Sequence, residues 1–343
     1  MKVNLKKIIL ITGGAGYVGS NLIRDALALG YRVRCFDRFV YGGKSIVGFL
    51  NHPDFETIKG DVRNKSDVEK ALEGNVDSIV HLAAIVGDLP CQAAPKSTYQ
   101  INFQGTQLLA DLAKKKGIKR FIFTSTCSNY GVVNNSFPIT EMGDLNPISL
   151  YAETKIDCEK YLMSIASEKF HPVILRFGTA YGISFRTRFD LLVNSLVYEA
   201  LKDKEIMVFA TNMWRPYVHV ADMARIILKT LKVDISKVSA EIFNAGATSH
   251  NFTKDTVVKM LSECLPEVNV HYTTEIDDKR NYRVDCSKLE KTLDFTPIKT
   301  VQKGIQELIY GFESEILNEE DYNSNNIEHL KYFFGKQERI LSK

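Results

Sequence analysis

The chain reads as an α/β protein built on a doubly wound parallel sheet, with a smaller, interleaved lobe toward its C-terminus. Three observations predict this. Short runs rich in β-branched and aromatic residues alternate, through the first half, with stretches that carry apolar residues at helical spacing, which is the pattern of βαβ units. The β runs are continuously apolar, as in Ile8-Ile9-Leu10-Ile11, which suits strands covered on both faces. A glycine-rich turn joins the first of these runs to the first helical stretch.

The elements follow in order. Strands are expected at Lys7 to Thr12, Arg32 to Phe36, Phe55 to Lys59, Ser78 to Leu82, Arg120 to Thr124 and Val173 to Phe177. Between them, helical spacing marks Val18 to Leu29, which stops at Gly30, then Asp67 to Leu72, Tyr99 to Lys116 and Leu150 to Lys169. After Gly178 the texture changes to a helix from Phe189 to Leu201, an irregular aromatic stretch around Trp214-Arg215-Pro216-Tyr217, and helices at Val220 to Leu231 and Lys254 to Leu265. The expected division is residues 1–178 for the first domain, 179–317 for the second lobe, with part of 215–250 returning to the first, and 318–343 as an appendage that becomes helical around His329 to Phe334. No proline-rich or glycine/serine-rich linker separates the lobes, so a cleft between packed bodies is expected.

Composition narrows the function classes. In 343 residues, 45% hydrophobic and 25% charged content is that of a globular protein with a sizeable core. A net charge of +3 implies no nucleic-acid partner. Six scattered cysteines form no CxxC and no metal-ligand cluster, so no metal and a reducing, cytoplasmic setting are expected. The first apolar run is too short for a membrane span and has no cleavage site, so no membrane is expected either.

The turn Thr12-Gly13-Gly14-Ala15-Gly16-Tyr17-Val18-Gly19 satisfies both common spacings of a dinucleotide loop, Gly14-x-Gly16-x-x-Gly19 and Gly13-x-x-Gly16-x-x-Gly19. Missing side chains let the backbone approach a pyrophosphate, and the helix N-terminus that follows supplies oriented N–H groups. Asp37 closes the second strand eighteen residues after Gly19, where a carboxylate accepts ribose hydroxyls and repels a 2′-phosphate. That favours NAD. The next residue, Arg38, is one that can accommodate such a phosphate instead. Asp61-Val62 after the third strand can bound an adenine, or Asp61 can serve as a helix cap. Leu82-Ala83-Ala84 after the fourth offers small residues beside a cofactor's path, or plain close packing.

Tyr151 and Lys155 stand four residues apart, on one face of a helix. A lysine cation beside a tyrosine favours the phenolate, which makes the phenol a general base. The fifth strand ends in Thr124-Ser125-Thr126-Cys127-Ser128-Asn129-Tyr130-Gly131, twenty-five residues before Tyr151 when counted from Thr126. Strand C-terminal ends converge on one edge of a parallel sheet, so Thr126 can meet the Tyr151 helix over a bound nicotinamide. Thr126 would bond the substrate oxygen, Tyr151 would exchange its proton, and Lys155 would also grip the nicotinamide ribose. Thr124 lies on the same path.

Taken together, these motifs, with His81-Leu82-Ala83-Ala84, Asn102 and Arg215-Pro216-Tyr217-Val218-His219-Val220-Ala221-Asp222, resemble those of the extended short-chain dehydrogenase/reductase family, the NAD-dependent epimerases and dehydratases of nucleotide sugars. The resemblance runs from residue 7 to about 312. It implies a Rossmann domain, NAD as cofactor, catalysis by Thr126, Tyr151 and Lys155, and a second lobe that binds a nucleoside diphosphate sugar. Gly13, Gly16, Tyr17, Val18, Gly19, Asp37, Arg38, Asp61, Val62, Leu82, Ala83, Ala84, Asn102 and Thr124 are the expected cofactor contacts. Bidentate guanidinium groups match a diphosphate best, which makes Arg188, Arg215 and Arg280 candidates, with Asn194 beside them. His219, between two valines, reads as structural. Family dimers pair through two helices, here those of Tyr99 and Leu150.

The family's 4,6-dehydratases carry an Asp-Glu pair directly after the catalytic threonine, where this chain has Cys127 and Ser128, so dehydration is not expected. Hydride chemistry at a sugar carbinol, most simply C4, remains. A 4-epimerase is the leading expectation. A net 4-dehydrogenase or 4-ketoreductase is the alternative, because Val86-Gly87-Asp88-Leu89-Pro90-Cys91 and the run from Arg188 to Asn194 resemble a subset that includes the 4-dehydrogenase of GDP-heptose. A regulator that binds NAD without chemistry is the reading from another class, and the presence of Thr126, Tyr151 and Lys155 speaks against it.

Overall fold

The computed structural model describes residues 7–133, 137–209, 211–273 and 279–318. The helix expected around His329 to Phe334 lies outside them. In chain order the elements are β1 (Ile8–Thr12), α1 (Tyr17–Ala28), β2 (Arg32–Asp37), β3 (Phe55–Lys59), α2 (Lys65–Ala71), β4 (Val76–His81), α3 (Asp88–Ala93), α4 (Pro95–Thr98), a π-helical turn (Tyr99–Gln104), α5 (Gly105–Lys115), β5 (Arg120–Thr126), α6 (Leu150–Ser164) and β6 (His171–Phe177). They continue with β7 (Thr179–Tyr181), α7 (Leu192–Asp203), β8 (Glu205–Val208), β9 (Trp214–His219), α8 (Val220–Lys232), β10 (Glu241–Ala245), β11 (Asn251–Thr253), α9 (Lys254–Cys264), β12 (Asn269–Tyr272), α10 (Ser287–Leu293) and α11 (Val301–Glu313).

The central sheet has seven strands in the order β10-β6-β5-β4-β1-β2-β3, all paired in parallel. Every residue of β1 is buried, as its unbroken apolar run requires. Leu22, Ile23 and Ala26 of α1, with Ile226, Ile227 and Ala224 of α8, cover one face. Val68, Leu109, Ala113, Cys158 and Leu162 from α2, α5 and α6 cover the other. Burial of each large aliphatic side chain contributes roughly 1.5–3 kcal/mol, so the two layers hold the sheet rigid. Strand order reverses between β1 and β4, and a crevice opens there at the C-terminal edge.

The smaller lobe packs α7, α9 and α11 around Val197, Tyr198, Leu261, Ile305 and Leu308. Its β8 and β12 form a parallel pair, and β7, β9 and β11 form a second small sheet. Several expectations shift. The stretch around Trp214 is a strand, β9, because it is paired on both sides, by β11 and β7. Helix α6 ends at Ser164, where Ile165 caps it, and not at Lys169. Helix α7 begins at Leu192, which leaves Arg188 and Asp190 in the preceding loop. The helix read as continuous from Tyr99 starts with a π turn.

Candidate active site

A cavity of about 1260 Å³ lies over the crevice, between the sheet edge and the smaller lobe. Its floor is the glycine loop. Gly13 has φ +70°, and a Cβ there would lie 2.7 Å from the Ala83 nitrogen, so only glycine lets the loop cross the end of β4. A Cβ on Gly19 would meet the Gly13 carbonyl oxygen at 2.5 Å, so the start of α1 sits directly on the loop. Gly16, Tyr17 and Val18 line the same cavity, and the Tyr17 hydroxyl donates to the Gly182 carbonyl at 2.7 Å, tying the loop to the smaller lobe.

Asp37, at the end of β2, accepts from the Ala15 N–H at 3.0 Å and the Phe39 N–H at 2.7 Å. Burial pushes its carboxyl above the usual range, against those two bonds and the nearby Arg186. Lone pairs remain on both oxygens for ribose hydroxyls. Arg38 does not face the cavity as a free cation: its Nη1 lies 3.2 Å from Asp61, which Arg63 also grips at 2.7 Å. Asp61 is therefore the anchor of two arginines, while Asn64 caps α2. Val62, Leu82, Ala83, Ala84 and Thr124 line the cavity as well, and the Thr124 hydroxyl donates to the His81 carbonyl at 2.9 Å. A glycine cradle, a helix N-terminus and a buried carboxylate at the second strand form the set that an adenine dinucleotide needs.

Strand β5 runs to Thr126, two residues beyond its expected end, so this threonine stands on the sheet edge itself. Its hydroxyl oxygen accepts from the Ser128 N–H at 3.1 Å, which leaves the O–H to donate into the cavity. Tyr151 and Lys155 reach the cavity from α6, whose N-terminus is capped by Ser149. The Lys155 Nζ donates to the Thr124 carbonyl at 2.7 Å and lies 4.6 Å from the Phe123 ring centre and 5.9 Å from that of Tyr151. Burial pulls its pKa down to about 8. Burial also holds the Tyr151 phenol well above its ordinary value; Cys91 and Asp88 add to that, while Arg188 and Arg280 oppose it. The Arg188 and Arg280 guanidinium groups favour the phenolate against that burial, and the Lys155 ammonium stands 5.9 Å from the centre of the same ring.

Two expected contacts point elsewhere. Asn102 is buried on the π turn, where its side chain accepts from the Ile85 N–H at 2.8 Å and donates to the Ile85 carbonyl at 3.0 Å. It holds the loop after β4 and does not line the cavity. Asn194 is also fully buried: it accepts from the Gly182 N–H at 2.9 Å and donates to the Arg188 carbonyl at 2.8 Å. It fixes the Arg188 loop instead of facing a ligand. Arg188, Arg215 and Arg280 do line the cavity. His219 caps α8 and faces Glu307 at 3.4 Å, a structural position.

Asp88, Asp190, Arg186, Ser128 and Tyr282 complete the cavity wall without having been singled out from sequence as site residues. The only signal was their proximity to motifs: Arg186 and Asp190 flank Arg188, and Tyr282 follows Arg280. Cys127 is fully buried and donates to the Arg176 carbonyl at 3.1 Å, so its thiol is turned from the cavity.

Among curated proteins, UDP-glucuronic acid decarboxylase 1 of Arabidopsis thaliana is 28% identical over 322 residues, 91% of this chain and 71% of the relative. UDP-glucose 4-epimerase of Bacillus subtilis is 26% identical over 260 residues, 69% of this chain and 76% of the relative. The crystal structure of UDP-glucose 4-epimerase from Thermotoga maritima with UDP-glucose matches with a TM-score of 0.79 at 25% identity, covering 90% of this chain and 100% of that one. Residues 9–246 match the model of the NAD dependent epimerase/dehydratase family. Since that match runs from the first strand through the glycine loop to the last strand of the central sheet, the chain belongs to the NAD dependent epimerase/dehydratase family, and NAD is the dinucleotide its loop is shaped to hold.

Proposed function

We propose that the protein is a nucleotide-sugar 4-epimerase that works through a 4-keto sugar, in the cytoplasmic synthesis of surface-polysaccharide precursors. The observation that carries the reading is that Thr126 and Tyr151 line one cavity with Arg215 and Arg280, while the two positions after Thr126 hold no carboxylate. When bound, NAD supplies the acceptor and donor of hydride. Gly13, Gly16, Gly19 and Asp37 would hold it. The Thr126 O–H donates to the sugar oxygen at C4, and Tyr151 takes or returns that oxygen's proton. Lys155, braced on the Thr124 carbonyl, has further N–H donors for the nicotinamide ribose. Arg215 and Arg280 suit the diphosphate. Oxidation consumes the phenolate form of Tyr151 and reduction consumes the phenol.

The Bacillus subtilis 4-epimerase supports this reading among the relatives. Because Cys127 is turned away and Ser128 is no acid, loss of water has no evident acid-base pair beside the threonine. The test is incubation with UDP-, GDP-, CDP- and dTDP-sugars, following NADH absorbance and the configuration at C4 together. The expected product is the C4 epimer without net NADH, and Tyr151→Phe should lower turnover by about 10²–10⁴-fold with NAD binding kept. Stoichiometric NADH would replace this reading with a net 4-dehydrogenase. Undiminished turnover by Tyr151→Phe would remove the catalytic assignment.

A further inference from the structure

Around Tyr151 the cavity carries two guanidinium groups and two carboxylates, and their pairing bears on which sugar can enter. Arg188 donates to both oxygens of Asp190, from Nε at 3.0 Å and from Nη2 at 2.6 Å. Arg280 Nη1 lies 3.4 Å from Oδ2 of Asp88 and donates to the Ser128 hydroxyl at 3.1 Å. The two pairs are neighbours: a Cβ on Gly87 would be 3.9 Å from Nη2 of Arg188. Each of these two guanidinium groups therefore already faces a carboxylate of the protein.

The other oxygen of Asp88 stands apart. Oδ1 is buried from solvent and has no hydrogen-bond partner among the described residues. A carboxylate oxygen accepts hydrogen bonds and donates none, so what completes it must bring an O–H or N–H. Asp88 follows Gly87, whose φ of +102° turns the chain into α3, and is one of the residues that line the same cavity as Tyr151.

We propose that Asp88 recognises a sugar hydroxyl through Oδ1, and that the sugar of the nucleoside diphosphate substrate is neutral and hydroxylated, not a uronic acid. The inference rests on the nucleotide-sugar reading above. The C6 group hangs on the carbon next to C4, so a carboxylate there would enter the region where Asp88 and Asp190 already answer the arginines. It would set acceptor against acceptor at Oδ1. A hydroxymethyl or longer hydroxylated chain brings the donor that Oδ1 lacks.

Two matched pairs test this, each differing at C6 alone: UDP-glucose against UDP-glucuronate, and GDP-mannose against GDP-mannuronate. In whichever pair the enzyme accepts, the neutral member is expected to have kcat/KM at least about tenfold higher. Asp88→Asn should raise KM for that member about tenfold and narrow the preference, because the amide brings an N–H donor whose hydrogen bond a substrate carboxylate can accept. NAD titration and circular dichroism of the variant serve as the folding control. Equal use of the uronate by the wild type overturns the proposal, as does an unchanged preference in Asp88→Asn, and either leaves the nucleotide-sugar reading standing. Absence of both binding and turnover for all four compounds overturns this inference, and the nucleotide-sugar reading falls with it when the CDP- and dTDP-sugars also fail to bind.

Discussion

Lys155 places an ammonium in a site with almost no contact with water, and its depressed pKa is the cost of that position expressed as proton affinity. An unfolded lysine titrates near 10.4, against about 8 in the folded chain. Between those values the unfolded chain binds more protons than the native one, so this residue's contribution to stability rises with pH across the window. Below it, the buried charge costs on the order of 3 kcal/mol, net of what the Thr124 carbonyl and the Phe123 ring return. Lys155→Met should therefore be more stable than the wild type at pH 7, by up to that amount, and should lose the advantage by about pH 10, while turnover falls. Urea unfolding at the two pH values checks this. A difference that does not change with pH would show that Lys155 is not desolvated in the native state.

At the scale of elements, the catalytic helix is fixed from behind. Glu159 lies one turn beyond Lys155 on α6 and is 3% exposed. It receives Arg176 of β6 through Nη2 at 2.6 Å and Nε at 3.0 Å, Asn129 at 2.8 Å, and the Ser125 hydroxyl of β5. Arg176 also donates to Tyr130, which donates in turn to Asn244 of β10 at 2.6 Å. One buried network thus joins α6 to three adjacent strands next to Thr126 and sets the spacing of the site. Glu159→Gln leaves the buried guanidinium without its counter-charge and should cost about 3–5 kcal/mol in urea unfolding. A loss below about 1 kcal/mol would mean the network is not what holds the helix. The π turn before α5 is the other element that shapes the site, since Asn102 on it clamps Ile85. Nothing local in Tyr99-Gln100-Ile101-Asn102-Phe103-Gln104 distinguishes it from an ordinary helix. Asn102 on the turn reaches Ile85, seventeen residues earlier, and that contact is not written in the local sequence.

Across the whole molecule the two lobes are stitched rather than tethered. The Tyr17 hydroxyl donates to the Gly182 carbonyl at 2.7 Å, and the Ser184 hydroxyl donates to the Tyr17 carbonyl at 2.6 Å, which joins the start of α1 to the segment after β7. Strand β10 then returns to the edge of the central sheet beside β6. No helix of the described residues is long and apolar enough to cross a membrane. On the outer side of the π turn and α6, Tyr99 is 43% exposed and contacts Phe103 at 5.3 Å, and Phe103 meets Tyr161 at 6.4 Å. We propose that this aromatic face, on the two helices named for pairing, meets its copy in a homodimer. Sedimentation equilibrium should give the mass of two chains, and Tyr99→Glu should shift it toward one. A single-chain mass for the wild type at every concentration would remove the dimer.

The sequence by itself determined the sheet strands β1 to β6, the glycine loop, Asp37 and the spacing of Tyr151 and Lys155, because continuous apolar runs, missing side chains and helical period are local properties that survive in one dimension. It did not contain the pairing of charges. Whether Arg38 meets a phosphate or Asp61, whether Asn102 faces a ligand or clamps Ile85, and which cations surround Tyr151 all depend on groups well separated in the chain. The same holds for β9 and β10, short strands that exist only because partners lie beside them. Tertiary structure decided these points because hydrogen bonds and Coulomb interactions act over a few ångströms in space, and sequence distance says nothing of that.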